Sequence, residues 1–555
     1  MRSAARRHHS SPGAAPLPRQ DAADKAYRRS GSSGRIDAAY GRLAAALGDD
    51  AVLGPGSDLS AYEDPYAFGG SEDFRCSGAV LPRSVEEVQA VLAIANQHGI
   101  PIWTVSTGRN LGYGGAAPRV SGAIVLDMQR MNRILEVDEE HAYALVEPGV
   151  RFVDLYEHLR EHRLKLWMSA PSLGWGSVLG NALERGIGYT PYGDHAAQIC
   201  GMEVVLANGD VVRTGMGALP GANTWQMYKG GYGPSLDGLF LQSNLGIVTK
   251  LGLWLMPQPD GMMSCTVHFQ RESDLEAAID VLASLRRREI IQSNAQLGNV
   301  LRDVAHRYPR SRWYDGPGAM PDEVLDEVRR DLGIGWWWIL RFGLYGDKEL
   351  RDARFRIVQR EFSRIPGAEI TGHEHLASGS DGLHAWEVEG PAGRLAGVPG
   401  FFSLNALKFR GDDCGHLDFS PIVASSGREA ARVYNHVKAR AREHGIDYLA
   451  GFTAGVRHLN HVFTILYEKH DAKQTSSAAA LLDTLIREMG RQGIGGYRAH
   501  LAFMDLIGDQ FSFNEHALRR LNETLKDALD PNGILSPGKQ GIWPAASRKQ
   551  RAGTR

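Results

Sequence analysis

Apolar positions follow two different periods along this chain, and the change from one to the other divides it. From Ser84 to Ile100, Val85, Val88, Val91, Leu92 and Ala95 recur at helical spacing. Ser84 stands where a helix N-cap belongs and Gly99 where a helix stops. A short strand, PIWTVS, follows, and then the loop TGRNLGYGGAAP. From Gly122 the pattern turns to strands, in AIVLDM, ILEVD and AYALVEPGV. The stretch Cys200 to Gly215 reads as a hairpin, because Asn208-Gly209 supplies the positive φ its turn needs. LFLQSNLGIVTKLGLWLMPQP closes this strand-rich unit near Pro257.

Between about Met262 and Gly493 the texture differs. Helical stretches such as SDLEAAIDVLASLRRR, KELRDARFRIVQREFSRI and GREAARVYNHVKARAREHG alternate with β-like runs such as MMSCTVHF, WWWILRFGLYG and NHVFTILYE. An antiparallel sheet covered by helices on one face produces that alternation. The segment from FNEHALRRLNETLKDALDPNG to ILSPGKQGIW reads as a helix and tail returning to the first unit. The expectation is an α+β, two-domain chain: a disordered leader at 1–35, a first domain at 36–257 completed by a return segment at 494–543, a second domain at 258–493, and a tail at 544–555. No internal repeat is visible.

Charge narrows the function classes. With 62 basic against 64 acidic residues among 555, the net charge is −2. Neither a nucleic-acid backbone nor an anionic membrane finds an electrostatic footprint here. No apolar stretch is long enough for a membrane helix. The N-terminus is basic and rich in Ser, Pro and Ala but has no apolar core, so it reads as a leader without signal-peptide character, or as a mis-assigned start. Cys76, Cys200, Cys265 and Cys414 lie far apart, with no CxxC pair and no zinc-like spacing. A cytoplasmic protein is expected. The compositional outlier is Gly, at 65 residues, or about 12% against the usual 7%.

Some of those glycines point to a dinucleotide. No GxGxxG follows a strand and opens a helix, so a nicotinamide Rossmann site is unsupported. GILSPGKQ resembles a P-loop, but Gln540 stands where magnesium binding needs Ser or Thr, and a turn forced by Pro531-Asn532-Gly533 explains it better. In contrast, Ser106, Thr107, Gly108, Arg109, Asn110, Leu111, Gly112, Tyr113, Gly114 and Gly115 form a loop with four Gly in eight residues. Such a loop can offer successive backbone N–H groups to a pyrophosphate, although it can also be a plain turn. Two further Gly-rich stretches, Ser172 to His195 and Gln242 to Gly252, lie in the same strand-rich unit.

From Tyr62 to Trp543 the chain resembles the vanillyl-alcohol oxidase and 4-cresol dehydrogenase family of flavoproteins, and within it the bacterial eugenol oxidases and fungal vanillyl-alcohol oxidase. The motifs that carry the resemblance are STGRNLGYGGAAPR, GNALERGIGYTPYGDH, VLANGDVVRTGMGALPG, QSNLGIVTKLGLWLMP, GHLDFSPI, YRAHLAFMD and DPNGILSPGKQGIW. It implies a two-domain FAD-linked oxidase fold, with a split FAD-binding domain and a substrate-capping domain. It places Ser106 to Gly115 on the FAD pyrophosphate, with Asn181, Gly186 and Ile247 among other FAD contacts. His416, in CGHLDFSPI, matches the residue through which histidyl-linked relatives attach the flavin covalently; from spacing alone it reads as an ordinary core or capping histidine.

Tyr113, Tyr497 and Arg498 match the family's phenolate-binding trio, and Tyr189 is expected beside it. Two tyrosine hydroxyls and a guanidinium converging on a phenol oxygen favour its anion. The resemblance then implies hydride transfer from the benzylic carbon of a para-substituted phenol to flavin N5, giving a quinone methide, with O2 as acceptor. The implied partners are a small phenol and O2, in a homo-oligomer without nucleic acid or membrane. A cytochrome is the alternative acceptor, and a flavin-binding protein without phenol chemistry is a rival of another class.

The chain also departs from the family. Ser172 stands where related oxidases carry Asp, and a neutral serine is no effective base at pH 7. Asn460 replaces a histidine common to both branches, with His458 and His461 nearby. Asp418, two residues after His416, is the candidate to supply the missing carboxylate, against the plainer reading of a solvated or Arg-paired Asp. Gly451 and Gly496 replace larger pocket residues, which predicts room for a bulky para substituent.

Overall fold

The computed structural model describes residues 33–68, 72–379 and 381–552. The leader expected at 1–35 lies outside them except for its last three residues, which open the helix Ser33–Leu47. That helix packs on Val85–His98, where Ser84 Oγ accepts from Glu87 N–H at 3.2 Å and Gly99 terminates the helix at φ 65°. Beneath the pair, Gly78–Val80 and Ile102–Val105 flank Ile124–Asp127 in parallel, joined by the helix as a crossover. A second, five-stranded antiparallel sheet runs Ile134–Asp138, Tyr143–Val146, Ile247–Trp254, Ile199–Val205 and Val211–Arg213. Its last pair is the hairpin read from Asn208-Gly209, with Gly209 at φ 91°.

The other large element is an eight-stranded antiparallel sheet. Its order is Glu369–Leu376, Gly261–Phe269, Trp338–Tyr345, Ala295–Asn299, Leu449–Ala454, His458–Glu468 and Cys414–Phe419, with Ile422–Ala424 also pairing to His458–Glu468. Strand side chains alternate between faces, and here the alternation separates core from cavity. Leu417, Phe419, Phe463, Ile465, Phe452 and Leu297 join a core with the helices Leu275–Arg287, Gly427–Glu443 and Ala472–Arg491. The intervening His416, Asp418, Val462, Thr464, Thr453 and Gln296 line a cavity on the opposite face. In register, His416 faces Leu466 and Asp418 faces Thr464.

The return segment ties the two halves together. Ile422 N–H donates to Gly495 O, and Tyr497 N–H to Ser420 O, at the edge of the large sheet. Farther on, Ile102 N–H donates to Ile534 O and Ser536 N–H to Ile102 O, extending the small parallel sheet. Lys526 pins the segment: its fully buried ammonium is 2.7 Å from Asp530 and donates to the carbonyls of Asn244 and Leu535. The residues expected as a tail are instead partly helical, Ala545–Ala552, with Arg548 paired to Asp527. No helix among the described residues is long and apolar enough to cross a membrane.

Candidate functional site

A cavity of about 450 Å3 lies between the large sheet and the loops of the first half. Of the residues singled out in the sequence, Ser106, Thr107, Gly108, Arg109, Asn110, Tyr113, Ser172, Asn181, Tyr189, Ile247, His416, Asp418, Tyr497 and Arg498 all line it. Segments almost 400 residues apart in sequence thus meet at one place.

Gly112, Gly114 and Gly186 do not line the cavity. A Cβ on Gly114 would collide with Leu501, and one on Gly186 with the Asn181 amide, so close packing requires glycine at both. Gly112, at φ 81°, packs against the His416 ring, where a Cβ would stand 2.6 Å from Nδ1. The Asn110 side chain closes its own loop, donating to Gly115 O and accepting from Gly115 N–H. Asn181 Oδ1 lies 2.6 Å from His195 Nδ1, whose pKa burial lowers to about 3. The neutral ring therefore donates Nδ1–H to that amide oxygen.

His416 is buried on a strand interior, and its backbone N–H donates to Tyr66 O. Burial lowers its pKa, against the pull of Asp418 and Asp64, so the ring is neutral and one of its nitrogens keeps a free lone pair. Nδ1 has no hydrogen-bond partner, and Nε2 is 3.5 Å from Asp418 Oδ1. Burial raises the Asp418 pKa above the usual carboxylate value, while His416, Arg302 and Arg498 oppose it. A carboxyl that holds its proton more tightly than usual suits proton transfer.

Arg498 sits with its guanidinium 5.4 Å from the ring centroids of both Tyr113 and Tyr497. Its Nε–H donates to Glu184 O at 2.7 Å, and no carboxylate among the described residues forms an ion pair with it. The Glu184 carboxylate is taken by Lys539, at 2.7 Å. Burial and neighbouring negative charge raise the Tyr113 and Tyr497 pKa values, so both hydroxyls remain protonated donors. Ser172 Oγ and Tyr189 OH share a 2.5 Å hydrogen bond at the same cavity.

Other expectations are corrected. Neither Gly451 nor Gly496 widens the cavity. A Cβ on Gly451 would lie 2.5 Å from Leu297 O and 2.6 Å from Arg302 Nη1, and one on Gly496 would lie 3.2 Å from Ile507 Cδ1. His461 and His458 do not replace the histidine missing at Asn460. His461 is buried, donating Nδ1–H to Gly451 O and accepting from the Tyr448 hydroxyl, and His458 is exposed at a strand end. The stretch read as a turn does turn, with Gly533 N–H donating to Asp530 O, and beyond it Leu535, Ser536, Lys539 and Gln540 join the cavity wall. Arg302, also on the wall, belongs to no motif and was missed.

These residues suit a flavin dinucleotide. The Gly-rich loop opens its backbone to the cavity, and a neutral imidazole with an unpartnered buried nitrogen lies on the opposite wall. Among the described residues there is no cluster of metal ligands.

Comparison with known proteins agrees. Residues 76–215 match the FAD binding domain and residues 401–540 the C-terminal domain of FAD linked oxidases. The chain is 38% identical over 514 residues to the hydroxylating 4-cresol dehydrogenase flavoprotein subunit of Pseudomonas putida, covering 92% of this chain and 96% of that one. Among solved structures, the 4-ethylphenol oxidase of Gulosibacter chungangensis, in an isoeugenol complex, superposes with a TM-score of 0.87 at 39% identity, covering 93% of this chain and 98% of that one. p-Cresol methylhydroxylase with substrate bound gives 0.87 at 36% identity, with the same coverage.

Proposed function

The chain belongs to the vanillyl-alcohol oxidase and 4-cresol dehydrogenase family of FAD-linked oxidoreductases, and from that premise we propose that it oxidises para-substituted phenols at the benzylic carbon. The observation that supports this most is Arg498, a half-buried cation on the cavity wall that forms no ion pair with a carboxylate among the described residues and lies between two protonated tyrosines. A guanidinium and two O–H donors at one place are the complement of a phenolate. Tyr113, Tyr497 and Arg498 bind that oxygen and hold the substrate as its anion, which raises electron density at the para carbon. When bound, FAD supplies the hydride acceptor.

His416 is the residue that attaches the flavin. Its position on a strand between paired neighbours fixes the ring, and Gly112 makes room for it. Loss of hydride leaves a quinone methide. Asp418, two residues along the same face, accepts the proton of the water that adds to it, or of the neighbouring carbon when a double bond forms. The Ser172–Tyr189 hydrogen bond holds Tyr189 in place beside this step. O2 is the acceptor of the reducing equivalents; a cytochrome acceptor is the second reading, favoured by the 38% identity with a dehydrogenase flavoprotein subunit and by Ser172 in place of the Asp of related oxidases. Peroxide formed under air with no added acceptor supports O2, and its absence with turnover on an artificial acceptor supports the cytochrome.

The phenolate role is tested by anaerobic flavin bleaching with 4-ethylphenol in wild type and Arg498→Met. A hydrogen bond to a charged group contributes about 1.5–3 kcal/mol, so the reduction rate at subsaturating phenol should fall about 10- to 100-fold. Equal rates would remove Arg498 from the site.

A further inference from the structure

Arg302 lines the cavity from the helix Val300–Val304, whose N-cap Asn299 accepts from the Arg302 N–H. Its guanidinium has no ion pair or hydrogen bond with any described residue. The carboxylates around it are committed or distant. Asp303 is 2.7 Å from Arg341 and 3.5 Å from Arg307. Asp418 contacts His416 at 3.5 Å and influences Arg302 only at longer range. A second guanidinium, Arg394, forms no ion pair with the described residues and lies 5.8 Å from the Tyr189 ring centroid. Burial pulls both cations below the usual arginine value, Arg394 to about 10.

Positive charge gathered on a cavity wall is costly when nothing offsets it. An unpaired buried charge costs several kcal/mol unless something compensates it, and the phenolate end already has its own cation in Arg498. Gly451 shows that the fold makes space for this one, because any side chain there would overlap the Arg302 guanidinium. The neighbouring His306 is neutral, its pKa lowered to about 4 by burial. It donates Nδ1–H to Arg302 O at 2.7 Å, so it does not supply the missing negative charge.

We propose that Arg302 binds a carboxylate carried on the para substituent of the substrate, so that this site selects 4-hydroxyphenyl alkanoic acids over neutral 4-alkylphenols. The inference rests on the phenol-oxidation reading and narrows its substrate class. A planar carboxylate matches the guanidinium fork. Asp418, with its pKa raised, adds less opposing charge at this end than an ordinary carboxylate would.

The test uses the holoenzyme with pairs matched in length, such as 3-(4-hydroxyphenyl)propanoate and 4-propylphenol, with acid chains of one to four carbons. Two quantities are read: kcat/KM for flavin reduction, and Kd from the flavin difference spectrum. For the best acid, the wild type should prefer the carboxylate at least tenfold in both, and Arg302→Gln should reduce that ratio at least tenfold, with Arg302→Lys keeping part of it. A ratio near one in the wild type, or the same ratio in Arg302→Gln, overturns the proposal; the second result would make Arg302 a charge that serves both substrates alike. If neutral phenols bleach the flavin and acids gain nothing, only this inference fails. If no phenol bleaches it, the reaction reading fails, and the Kd ratio still decides the carboxylate site. Should Arg302→Gln not fold, the wild-type ratio decides.

Discussion

Gly112→Ala tests whether the loop is fitted to His416, the proposed attachment residue. The position has φ 81°, and a non-glycine residue there costs about 1–2 kcal/mol in backbone strain. The new Cβ would also stand 2.6 Å from His416 Nδ1, 2.8 Å from Cε1 and 3.3 Å from Asp418 N. Ordinary carbon contacts begin near 3.5 Å, so ring or loop must shift by roughly 1 Å. His416 is 2% exposed and its strand pairs through Leu466, so the ring cannot retreat freely. Gly122→Ala is the control: φ is 84° there, and nothing lies within 4 Å of its Cβ. Both variants should lose stability from the backbone, but only Gly112→Ala should lose covalent flavin, by more than tenfold. The assay is intact-protein mass spectrometry of denatured protein, with thermal unfolding alongside. Full flavin attachment in Gly112→Ala, or equal loss in Gly122→Ala, would refute the reasoning.

Asp418→Asn should slow steady-state turnover at least tenfold and remove the acid limb of the kcat profile, which in wild type should lie above the usual carboxylate range. Because burial raises this pKa in the fold, wild type should lose stability as pH rises through that raised value, and Asp418→Asn should not; unfolding curves across pH 4–8 read the difference. Lys526→Met leaves Asp530 buried without its cation and should cost about 3–5 kcal/mol in denaturant unfolding; a loss below about 1 kcal/mol would contradict the pinning of the return segment. His461 has its pKa lowered from the ordinary 6.5 to about 4 by burial. Its contribution is complete above pH 6.5 and lost as pH falls toward 4, about 2 kcal/mol between pH 7 and 5. His461→Asn should therefore show a smaller drop in Tm over that interval.

Much of the scaffold was legible where local rules act alone. Ser84 and Gly99 bound their helix as read, and Asn208-Gly209 turns its hairpin. The strands Ala295–Asn299 and Glu369–Leu376 were missed, since AQLGN is short and glycine-containing and EITGHEHL is largely exposed at the sheet edge. In the site, most residues read from long motifs line the cavity, because each motif is one loop or strand, whereas Gly112, Gly114 and Gly186 do not. Arg302 was not, since a lone arginine in a short helix looks like any surface cation until the sheet brings Gly451 beside it. The same applies to Gly451 itself. From sequence a glycine signals vacant space, whereas here the space is filled by a side chain from a neighbouring element.

The central claim is that the substrate reacts as a phenolate held by Tyr113, Tyr497 and Arg498. Anaerobic mixing of the oxidised holoenzyme with 4-ethylphenol and with its O-methyl ether tests it most directly. The ether has the same benzylic hydrogens but cannot form the anion. The account predicts flavin bleaching with the phenol and a rate at least a thousandfold lower with the ether; comparable rates for the two would contradict it.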